Sequence, residues 1–158
     1  MSTQIRAYNA ADRNSCLDAF VSNVPQFFTV GEVSDFESFL NRIELQQRSD
    51  LNAGKTHFSV VVHHDRVVGC GGFGDKDGNN IISLAWGLIH KDFQKKGLGK
   101  ELFLYRLNEI KRLYSNASVV IDTTQFSAPF FERFGFVTKK VTNDYYAAGM
   151  HRYGMVRV

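Results

Sequence analysis

The chain has 158 residues, of which 44% are hydrophobic and 22% are charged, and these fractions exclude a disordered or fibrous protein. A chain of this length folds as one domain with a sizeable core, so we predict a single domain over residues 1–158. The net charge of +3 is too small to indicate a nucleic-acid partner, and no apolar stretch approaches the ~20 residues that cross a bilayer. We therefore expect neither a nucleic acid nor a membrane among its partners.

The cysteines and the N-terminus bear on metal binding and location. Cys16 and Cys70 lie far apart in the sequence and form no metal-binding spacing. The first ten residues lack the basic and then apolar order of a signal peptide. Two cysteines without a disulfide framework are typical of a reducing compartment. The sequence therefore predicts a cytoplasmic protein that holds no metal.

The N-terminal third predicts a strand followed by two helices. Residues 4–8 (QIRAY) have the composition of a short strand. Apolar residues then recur at the spacing of one buried helical face, and Pro25 closes that helix. These residues are Leu17, Phe20, Val21 and Val24. Ser34 and Glu37 form a capping-box pattern, which predicts the start of the second helix. Its apolar face consists of Phe36, Phe39, Leu40 and Ile43.

The middle of the chain changes to the patterns of strands. Residues 56–74 (THFSVVVHHDRVVGCGGFG) carry two β-branched runs around the polar turn HHDR, which is typical of a hairpin. A second turn, GDKDGNN, precedes the apolar run from Ile81 to Ile89, whose length suits a strand. We predict three antiparallel strands in sequence.

The last part of the chain alternates helices and strands. Gly97–Leu113 is the clearest helix, because apolar residues fill one half of its helical wheel and polar residues fill the other. Residues 117–123 predict a strand, and residues 127–134 a short helix with Pro129 at a permitted early position. Residues 134–141 and 151–158 predict a closing pair of strands. The predicted order, β-α-α-β-β-β-α-β-α-β-β, indicates a mixed α/β domain.

The stretch QKKGLGK, from Gln94 to Lys100, joins the third of these strands to the long helix. Backbone N–H groups in a first helical turn have no intrahelical partners, and the helix dipole places about half a positive charge there. Glycines let an anion approach the backbone, and seven basic residues against three acidic ones lie between His90 and Arg112. The stretch predicts a site for a compact anion such as a phosphate, with a packing role for the glycines as the alternative. It matches neither the P-loop nor the Rossmann pattern.

Two blocks of the sequence resemble a known family. Residues 89–102 (IHKDFQKKGLGKEL) are similar to the acyl-CoA-binding motif of the GCN5-related N-acetyltransferase (GNAT) superfamily, Gln/Arg-x-x-Gly-x-Gly/Ala. Gln94, Gly97 and Gly99 occupy its three defined positions. Residues 123–140 (TTQFSAPFFERFGFVTKK) resemble the family's second conserved block. The resemblance covers the chain from Phe58 onward, and its motifs are specific only in these two blocks. It implies a GNAT-like α/β fold with a mixed, mostly antiparallel central sheet, helices on both faces, and strands splayed to admit acyl-CoA.

The resemblance also implies a function. An N-acetyltransferase of this kind moves the acetyl group of acetyl-CoA to a primary amine, of a small molecule or a protein, by direct attack in a ternary complex. Backbone N–H groups of residues 95–100 would bind the pyrophosphate, and the end of the preceding strand would pair with the pantetheine arm. The residues implied to bind acetyl-CoA are Leu88, Ile89, Gln94, Lys95, Lys96, Gly97, Leu98, Gly99, Lys100, Gln125, Phe130 and Phe131. A catalytically silent acyl-CoA-binding module and a small basic nucleic-acid binder are the alternatives.

Proton transfer is where the sequence departs from the family. Many members place a tyrosine in the second block as proton donor to the leaving thiol, and Phe131 stands at that position. Tyr145, Tyr146 or Tyr153 could supply the acid instead, although packing is the commoner role of a tyrosine. Asp122, at a strand end, is the candidate catalytic base, with capping of the following turn as its alternative role. A backbone N–H of the splayed strand would polarise the thioester carbonyl.

The acceptor is expected to contact the segment before the hairpin. Phe27 and Phe28 lie in the loop between the two N-terminal helices, and such loops often form sites. With Trp86 of the splayed strand, they are the predicted substrate-binding residues, and burial of the two phenylalanines against the sheet is the alternative. The sequence does not identify the amine. Closing strands in this superfamily often pair across subunits, so the resemblance also allows a homodimer.

Overall fold

The computed structural model describes residues 2–49, 55–75 and 77–158. These residues form seven strands and four α-helices in the predicted order. The strands are β1 (Thr3–Ala7), β2 (Thr56–His63), β3 (Arg66–Gly74), β4 (Ile81–Ile89), β5 (Ser118–Thr123), β6 (Val137–Ala147) and β7 (Met150–Arg157). The helices are α1 (Arg13–Val21), α2 (Glu32–Arg48), α3 (Leu98–Leu113) and α4 (Ala128–Glu132). Short 3-10 turns precede α1 and follow β4.

All of these strands belong to one sheet, in the order β1-β2-β3-β4-β5-β7-β6. Every neighbouring pair is antiparallel except β4 and β5, which run parallel. A parallel pair needs a crossover connection, and α3 provides it. The predicted mixed, mostly antiparallel sheet is confirmed, including the three antiparallel strands β2, β3 and β4.

The parallel strands β4 and β5 separate soon after they begin to pair. Their contact covers Ile81–Ser83 of β4 and Ser118–Val120 of β5, whereas β4 stays paired to β3 as far as Ile89. A bulge shifts the register between β3 and β4, and within it Trp86 adopts a φ of 49°. A bulge bends its strand and increases the local twist. The remainder of β4 therefore diverges from β5, which confirms the predicted splay.

Helices cover both faces of the sheet, as predicted. Consecutive residues of a strand point to opposite faces, so the strands contribute to both. The cluster on the α1 and α2 face includes Phe20, Phe36, Leu40, Phe58, Val60, Cys70 and Leu88. The cluster beneath α3 and α4 includes Phe73, Ile82, Leu84, Phe103, Ile110, Phe131 and Met155. Each helix is held by burial of one apolar side against the sheet.

Phenylalanines fill the centre of the second cluster. Phe103 of α3 is 1% exposed, and its ring centroid lies between 4.8 and 6.0 Å from four others in edge-on or tilted contacts. These rings belong to Phe130, Phe131, Phe134 and Phe136. A helix as short as α4 is not stable alone, so its position depends on this aromatic packing.

The predicted start of α2 is wrong by two residues. The helix begins at Glu32, and Ser34 lies inside it, with its hydroxyl donating to the Gly31 carbonyl at 3.2 Å. Glu32 Oε1 accepts from the Thr29 N–H at 2.9 Å, and the Glu32 N–H donates to Thr29 Oγ1 at 3.3 Å. These reciprocal bonds are those of a capping box. Thr29 and Glu32 therefore cap the N-terminal end of α2, upstream of the predicted pair Ser34 and Glu37.

The buried face of α1 also differs from the prediction. Val21 is the last residue of α1. It is 52% exposed, because it does not lie on the face of the helix that packs against the sheet. The fully buried residues of α1 are Cys16, Ala19 and Phe20. Their i, i+3, i+4 spacing is that of one helical face, and Leu17 packs at its margin.

Among the described residues, no helix has the length and apolar character that crossing a membrane requires. The same ranges contain no group of three or more His, Cys, Asp or Glu side chains arranged to hold a metal ion. Cys16 and Cys70 are both buried and not joined in a disulfide.

Replacing Phe103 by alanine is expected to lower the free energy of unfolding by about 3–5 kcal/mol, because the change removes a ring packed against four others. Urea unfolding followed by circular dichroism measures this loss. Leu104→Ala is the matched control, since Leu104 is the next residue of α3 and is 39% exposed; it should lower stability by less than about 1 kcal/mol. Equal losses in the two variants would contradict the placement of Phe103.

Candidate functional site

The turn between β4 and α3 presents a run of backbone donors. Gly97 is the N-cap of α3, with a φ of 83° and no side-chain cap, and Lys95 also has a positive φ, 64°. The N–H groups of residues 95–100 donate no hydrogen bond to the described part of the chain. Successive amides in a turn of this kind form an anion-binding concavity, and the start of a helix adds its dipole. We call these six N–H groups the donor array.

The space in front of the donor array is open. A Cβ at Gly97 would meet no atom within 4 Å, and one at Gly99 would have Ile89 Cγ1 as its nearest neighbour at 3.9 Å. Leu98 is 3% exposed, so its side chain faces the core and only its backbone is available to a ligand. The exposed charges around the array are those of Lys95, Lys96 and Lys100. The arrangement suits a doubly charged, compact anion.

Gln94 anchors this turn to the rest of the protein. Its Nε2 donates to Asn23 Oδ1 at 2.7 Å and to the Ile89 carbonyl at 2.9 Å. Asn23 is 3% exposed, and its Nδ2 donates to the same Ile89 carbonyl and to the Ala19 carbonyl, both at 3.0 Å. The side-chain amide of Gln94 is therefore bound within the protein and positions the turn. No sequence pattern pointed to Asn23, because its partners Ile89 and Gln94 are far from it in the chain.

The peptide groups of Leu88 and Ile89 face opposite edges of β4. The His90 N–H donates to the Val68 carbonyl of β3 at 2.7 Å. In an antiparallel ladder, alternate residues direct both peptide groups toward the partner strand, so Leu88 bonds toward β3 and Ile89 faces away. Of these two predicted residues, Ile89 alone has its N–H on the open edge, and its carbonyl is already occupied by the two side-chain amides described above.

A cleft of about 680 Å³ fills the opening between β4 and β5. It is bordered by residues 83–87 of β4, by residues 120–123 of β5 and by Thr124, and it also reaches α2, α3, α4 and β6. Its position follows from the short pairing of the two strands. The cleft brings together the predicted residues Phe27, Phe28, Trp86, Asp122 and Phe131. Gln125 and Phe130, also predicted, are not among the residues that line it.

The three residues predicted for the acceptor combine packing with exposure to the cleft. Trp86 and Phe28 pack on the α1 and α2 cluster, with ring centroid distances of 5.4 Å from Trp86 to Phe36 and 4.4 Å from Phe28 to Phe20. Phe27 contacts a ring after β5, that of Phe126, at 6.2 Å. Each of the three also lines the cleft, so they can form an apolar wall for a bound molecule.

Asp122 lies at the cleft in an ion pair. Its Oδ2 is 2.9 Å from Nη2 of Arg152, and the aspartate side chain is 53% exposed. The antiparallel pairing of β5 with β7 sets Asp122 opposite Gly154 and brings Arg152 alongside. The guanidinium of Arg152 also lies over the ring of Tyr145, 4.8 Å from its centroid. A guanidinium partner competes with any ammonium group for the carboxylate, so Asp122 is not a free base in this structure.

The phenylalanines of α4 divide between the cleft and the core. Phe131 is 8% exposed and lines the cleft while packing 5.5 Å from Phe103. Phe130 packs 5.3 Å from the same ring, and the guanidinium of Arg133 lies over the Phe130 ring, 5.5 Å from its centroid. Phe131 thus contributes an apolar surface and no proton donor at the cleft.

Gln125 connects β5 to the turn between β6 and β7. Its Nε2 donates to the Gly149 carbonyl at 2.6 Å, and its Oε1 accepts from the His151 N–H at 2.9 Å. Both polar ends of this side chain are therefore satisfied within the protein. Gln125 holds the closing hairpin against the end of β5, which is a positioning role.

Tyr146 is the one of the three candidate tyrosines that lines the cleft. Burial, with smaller effects from Asp122 and Glu32, raises the pKa of Tyr146 to about 12, so its hydroxyl keeps the proton at neutral pH. Tyr145 is 54% exposed, and Tyr153 packs beside the α3 and α4 cluster. A protonated hydroxyl at the cleft can donate a hydrogen bond to an anion that forms there.

Three charged residues of the cleft escaped sequence reasoning. Glu32 and Arg42 come from α2, and Arg106 comes from α3. Arg106 is 4% exposed, and burial lowers its pKa to about 10, which leaves it positively charged at neutral pH. A signal for it existed, since Arg106 lies four residues from both Leu102 and Ile110 in the middle of the apolar face. A charged residue at such a position indicates a buried role.

A comparison with models of protein families matches residues 24–157 to the acetyltransferase (GNAT) domain. No curated protein gives a significant match to the sequence. Among solved structures, an acetyltransferase assigned to the GNAT family from Desulfovibrio desulfuricans is 21% identical, with a TM-score of 0.75 over 98% of each chain.

Two further solved structures have the same fold at lower identity. The PaiA N-acetyltransferase from Thermoplasma acidophilum, in complex with coenzyme A, is 14% identical, with a TM-score of 0.74 over 99% of each chain. The ribosomal-protein-alanine N-acetyltransferase from Brucella melitensis is 13% identical, with a TM-score of 0.74 over 98% of this chain and 99% of its own. The family match runs from just after the first helix to the last strand and so includes both walls of the cleft: this chain belongs to the GNAT family of acetyltransferases.

Proposed function

We propose that the protein is an acetyl-CoA-dependent N-acetyltransferase that acts on a primary amine, of a small molecule or a protein, within a ternary complex. The observation that carries the proposal is the donor array beside the splayed strands. Six successive N–H groups lack partners in the described part of the chain, and glycine keeps the space in front of them open. Such an array fits the pyrophosphate of coenzyme A.

The cleft provides room for the rest of the donor. A pantetheine arm that leaves the pyrophosphate at residues 95–100 would enter between β4 and β5 along the unpaired edge of β4. The Ile89 N–H faces that edge and can bond an amide of the arm as a further strand would. The thioester would then lie near the bulge of β4, beside the aromatic wall formed by Phe27, Phe28 and Trp86.

The reaction requires a neutral amine and a leaving thiolate. The amine nitrogen forms a bond to the thioester carbonyl carbon, the C–S bond breaks, the thiolate takes up a proton, and the amine loses one. An alkyl ammonium has a pKa of about 10, so its deprotonation is the more demanding step. Among the described residues, Glu32 and Asp122 are the carboxylates that line the cleft. Asp122 is paired with Arg152, and Oε1 of Glu32 accepts from Thr29 at the start of α2. Oε2 of Glu32 is therefore the better candidate to attract the ammonium and accept its proton.

Tyr146 provides the hydrogen-bond donor that the phenyl ring of Phe131 lacks. The conjugate thiol of the leaving group has a pKa of about 8.5 if it resembles cysteine. This value is well below the pKa of about 12 of Tyr146. Complete transfer of the tyrosine proton is therefore unfavourable, and Tyr146 stabilises the thiolate by donating a hydrogen bond. The free thiol obtains its proton from solvent as the product leaves.

A catalytically silent acyl-CoA-binding module is the second candidate. It is favoured by the phenyl group of Phe131 at the position of the usual acid and by the ion pair that occupies Asp122. Incubation with acetyl-CoA and a panel of amines, with free thiol followed by absorbance, distinguishes the two. We expect release above the buffer rate for at least one amine. Measurable coenzyme A binding with no release for any amine would establish the module instead.

Gly99→Val is expected to weaken coenzyme A binding at least tenfold, because the added side chain occupies space beside the donor array. The fold should persist, since a Cβ at this position has its nearest neighbour at 3.9 Å. Isothermal titration calorimetry measures the affinity, and circular dichroism checks the fold. The matched control is Gly31→Val, where a Cβ also has its nearest neighbour at 3.9 Å but lies at the start of α2. Unchanged affinity in Gly99→Val would remove the basis of the assignment.

Tyr146→Phe is expected to lower kcat for acetyl transfer by about tenfold or more, since it removes a hydrogen-bond donor to the leaving thiolate from the cleft. The affinity for coenzyme A should not change. Tyr145→Phe is the control, because the neighbouring hydroxyl is exposed and does not line the cleft, and the ring under Arg152 is retained. Steady-state kinetics measure both variants. If the two lose the same activity, Tyr146 has no special role.

A further inference from the structure

Arg106 is a charged residue in the centre of an apolar helical face. Its neighbours one turn away on α3, Leu102 and Ile110, are 2% and 3% exposed, and Arg106 itself is 4% exposed. Burial of an ion is unfavourable unless hydrogen bonds and an opposite charge compensate for the lost hydration. The contacts of the guanidinium therefore decide whether its lost hydration is compensated within the protein.

The described residues do not compensate the guanidinium of Arg106 for its lost hydration. Nη1 donates to the Gly72 carbonyl at 3.3 Å, which is a long and neutral hydrogen bond. Nε is buried without a partner, and it is the one buried side-chain nitrogen or oxygen of the described ranges in that condition. No carboxylate of those ranges lies within 4.0 Å of the group. One hydrogen bond thus serves a group that has five N–H donors.

Glycines of the sheet make the space that this cation occupies. A Cβ at Gly87 would lie 2.6 Å from Nη2, and a Cβ at Gly71 would lie 3.3 Å from Nε and Cζ. Any other residue at position 87 would displace the guanidinium. The bulge of β4 and these glycines of β3 and β4 therefore fit the sheet closely around the side chain of Arg106.

Two nitrogens of the guanidinium lack partners, and one of them, Nη2, can be reached from the cleft. Nε and Nη2 lie on the same edge, and neither makes a hydrogen bond to the described residues. Nη2 is not among the fully buried atoms without a partner, so it retains contact with the cleft that Arg106 lines.

We propose that Arg106 binds a carboxylate of a reactant inside the cleft. The proposal rests on the function proposed above, because the reactant enters along the same strands. The carboxylate has two chemical sources: the free end of a dicarboxylic acyl group carried on coenzyme A, or the carboxylate of an amino-acid acceptor. In both cases the carboxylate is a recognition group and takes no part in the bonds that form and break. A charge-assisted hydrogen bond from Nη2 supplies both charge neutralisation and orientation.

The first arm of the test addresses the donor. Coenzyme A, acetyl-CoA and succinyl-CoA are titrated into the wild type and into Arg106→Met by isothermal titration calorimetry. If the donor carries the carboxylate, succinyl-CoA should bind the wild type at least tenfold more tightly than acetyl-CoA. The difference should disappear in Arg106→Met, whose side chain is uncharged and adapts to apolar surroundings.

The second arm addresses the acceptor. The standard amino acids and their carboxamides are titrated into the complex of the protein with coenzyme A. If the acceptor carries the carboxylate, at least one amino acid should bind at least tenfold more tightly than its carboxamide, and Arg106→Met should abolish that preference. Arg42→Met is the matched control, because Arg42 also lines the cleft but is exposed; it should leave either preference in place.

Three outcomes would overturn the proposal. The first is a wild type that binds coenzyme A but shows no carboxylate preference in either arm, which refutes this subsite alone. The second is loss of the preference in Arg42→Met and not in Arg106→Met. The third is a wild type that does not bind coenzyme A, which refutes the proposed function and this subsite with it.

The variant itself is expected to fold. Removal of a buried charge that lacks a partner also removes its desolvation penalty, and such replacements are often neutral or stabilising. Urea unfolding of Arg106→Met checks this expectation. Arg106→Gln, which keeps a donor for the Gly72 carbonyl, is measured beside it in both arms and should lose the same preference.

Discussion

The short parallel contact between β4 and β5 organises the rest of the molecule. The strands are joined for three residues each, at their N-terminal ends, and then diverge while β4 stays paired to β3. Because they run parallel, the connection between them must cross over, and α3 begins at the end of β4 where the strands are furthest apart. The open cleft and the donor array are therefore products of one topological choice, as is common where ligands bind at the carboxyl ends of strands.

α3 contributes both to the core and to the candidate site. Its apolar side holds Phe103 in the aromatic cluster, its first turn supplies backbone donors, and its middle places Arg106 at the cleft. Burial favours the neutral form of two side chains at the cleft. It keeps Tyr146 protonated and neutral, whereas Arg106 stays a cation because its lowered pKa, about 10, is still above neutral pH. Both favour negative charge on whatever lies between β4 and β5, which is the charge that a departing thiolate acquires.

The sequence was sufficient for the order of elements and for the glycine turn, because both depend on neighbours in the chain. Hydrophobic period, turn residues and the Gly97 to Gly99 spacing report local backbone requirements. It was not sufficient for Asp122, whose partner Arg152 is adjacent only because β7 inserts between β5 and β6. The side chain of Gln94 is a similar case, since Asn23 and Ile89 take up its donors.

The donor array also bears on how such a site tolerates substitution. The six donors are backbone N–H groups, and the side chains at positions 95, 96 and 100 point outward into solvent. The left-handed conformation at Gly97, the clearance at Gly99 and the buried side chain of Leu98 restrict the residue type at those positions. The proposed recognition surface is thus made of atoms that nearly every amino acid has in common, so the residues at positions 95, 96 and 100 can change while the arrangement of the N–H groups stays the same.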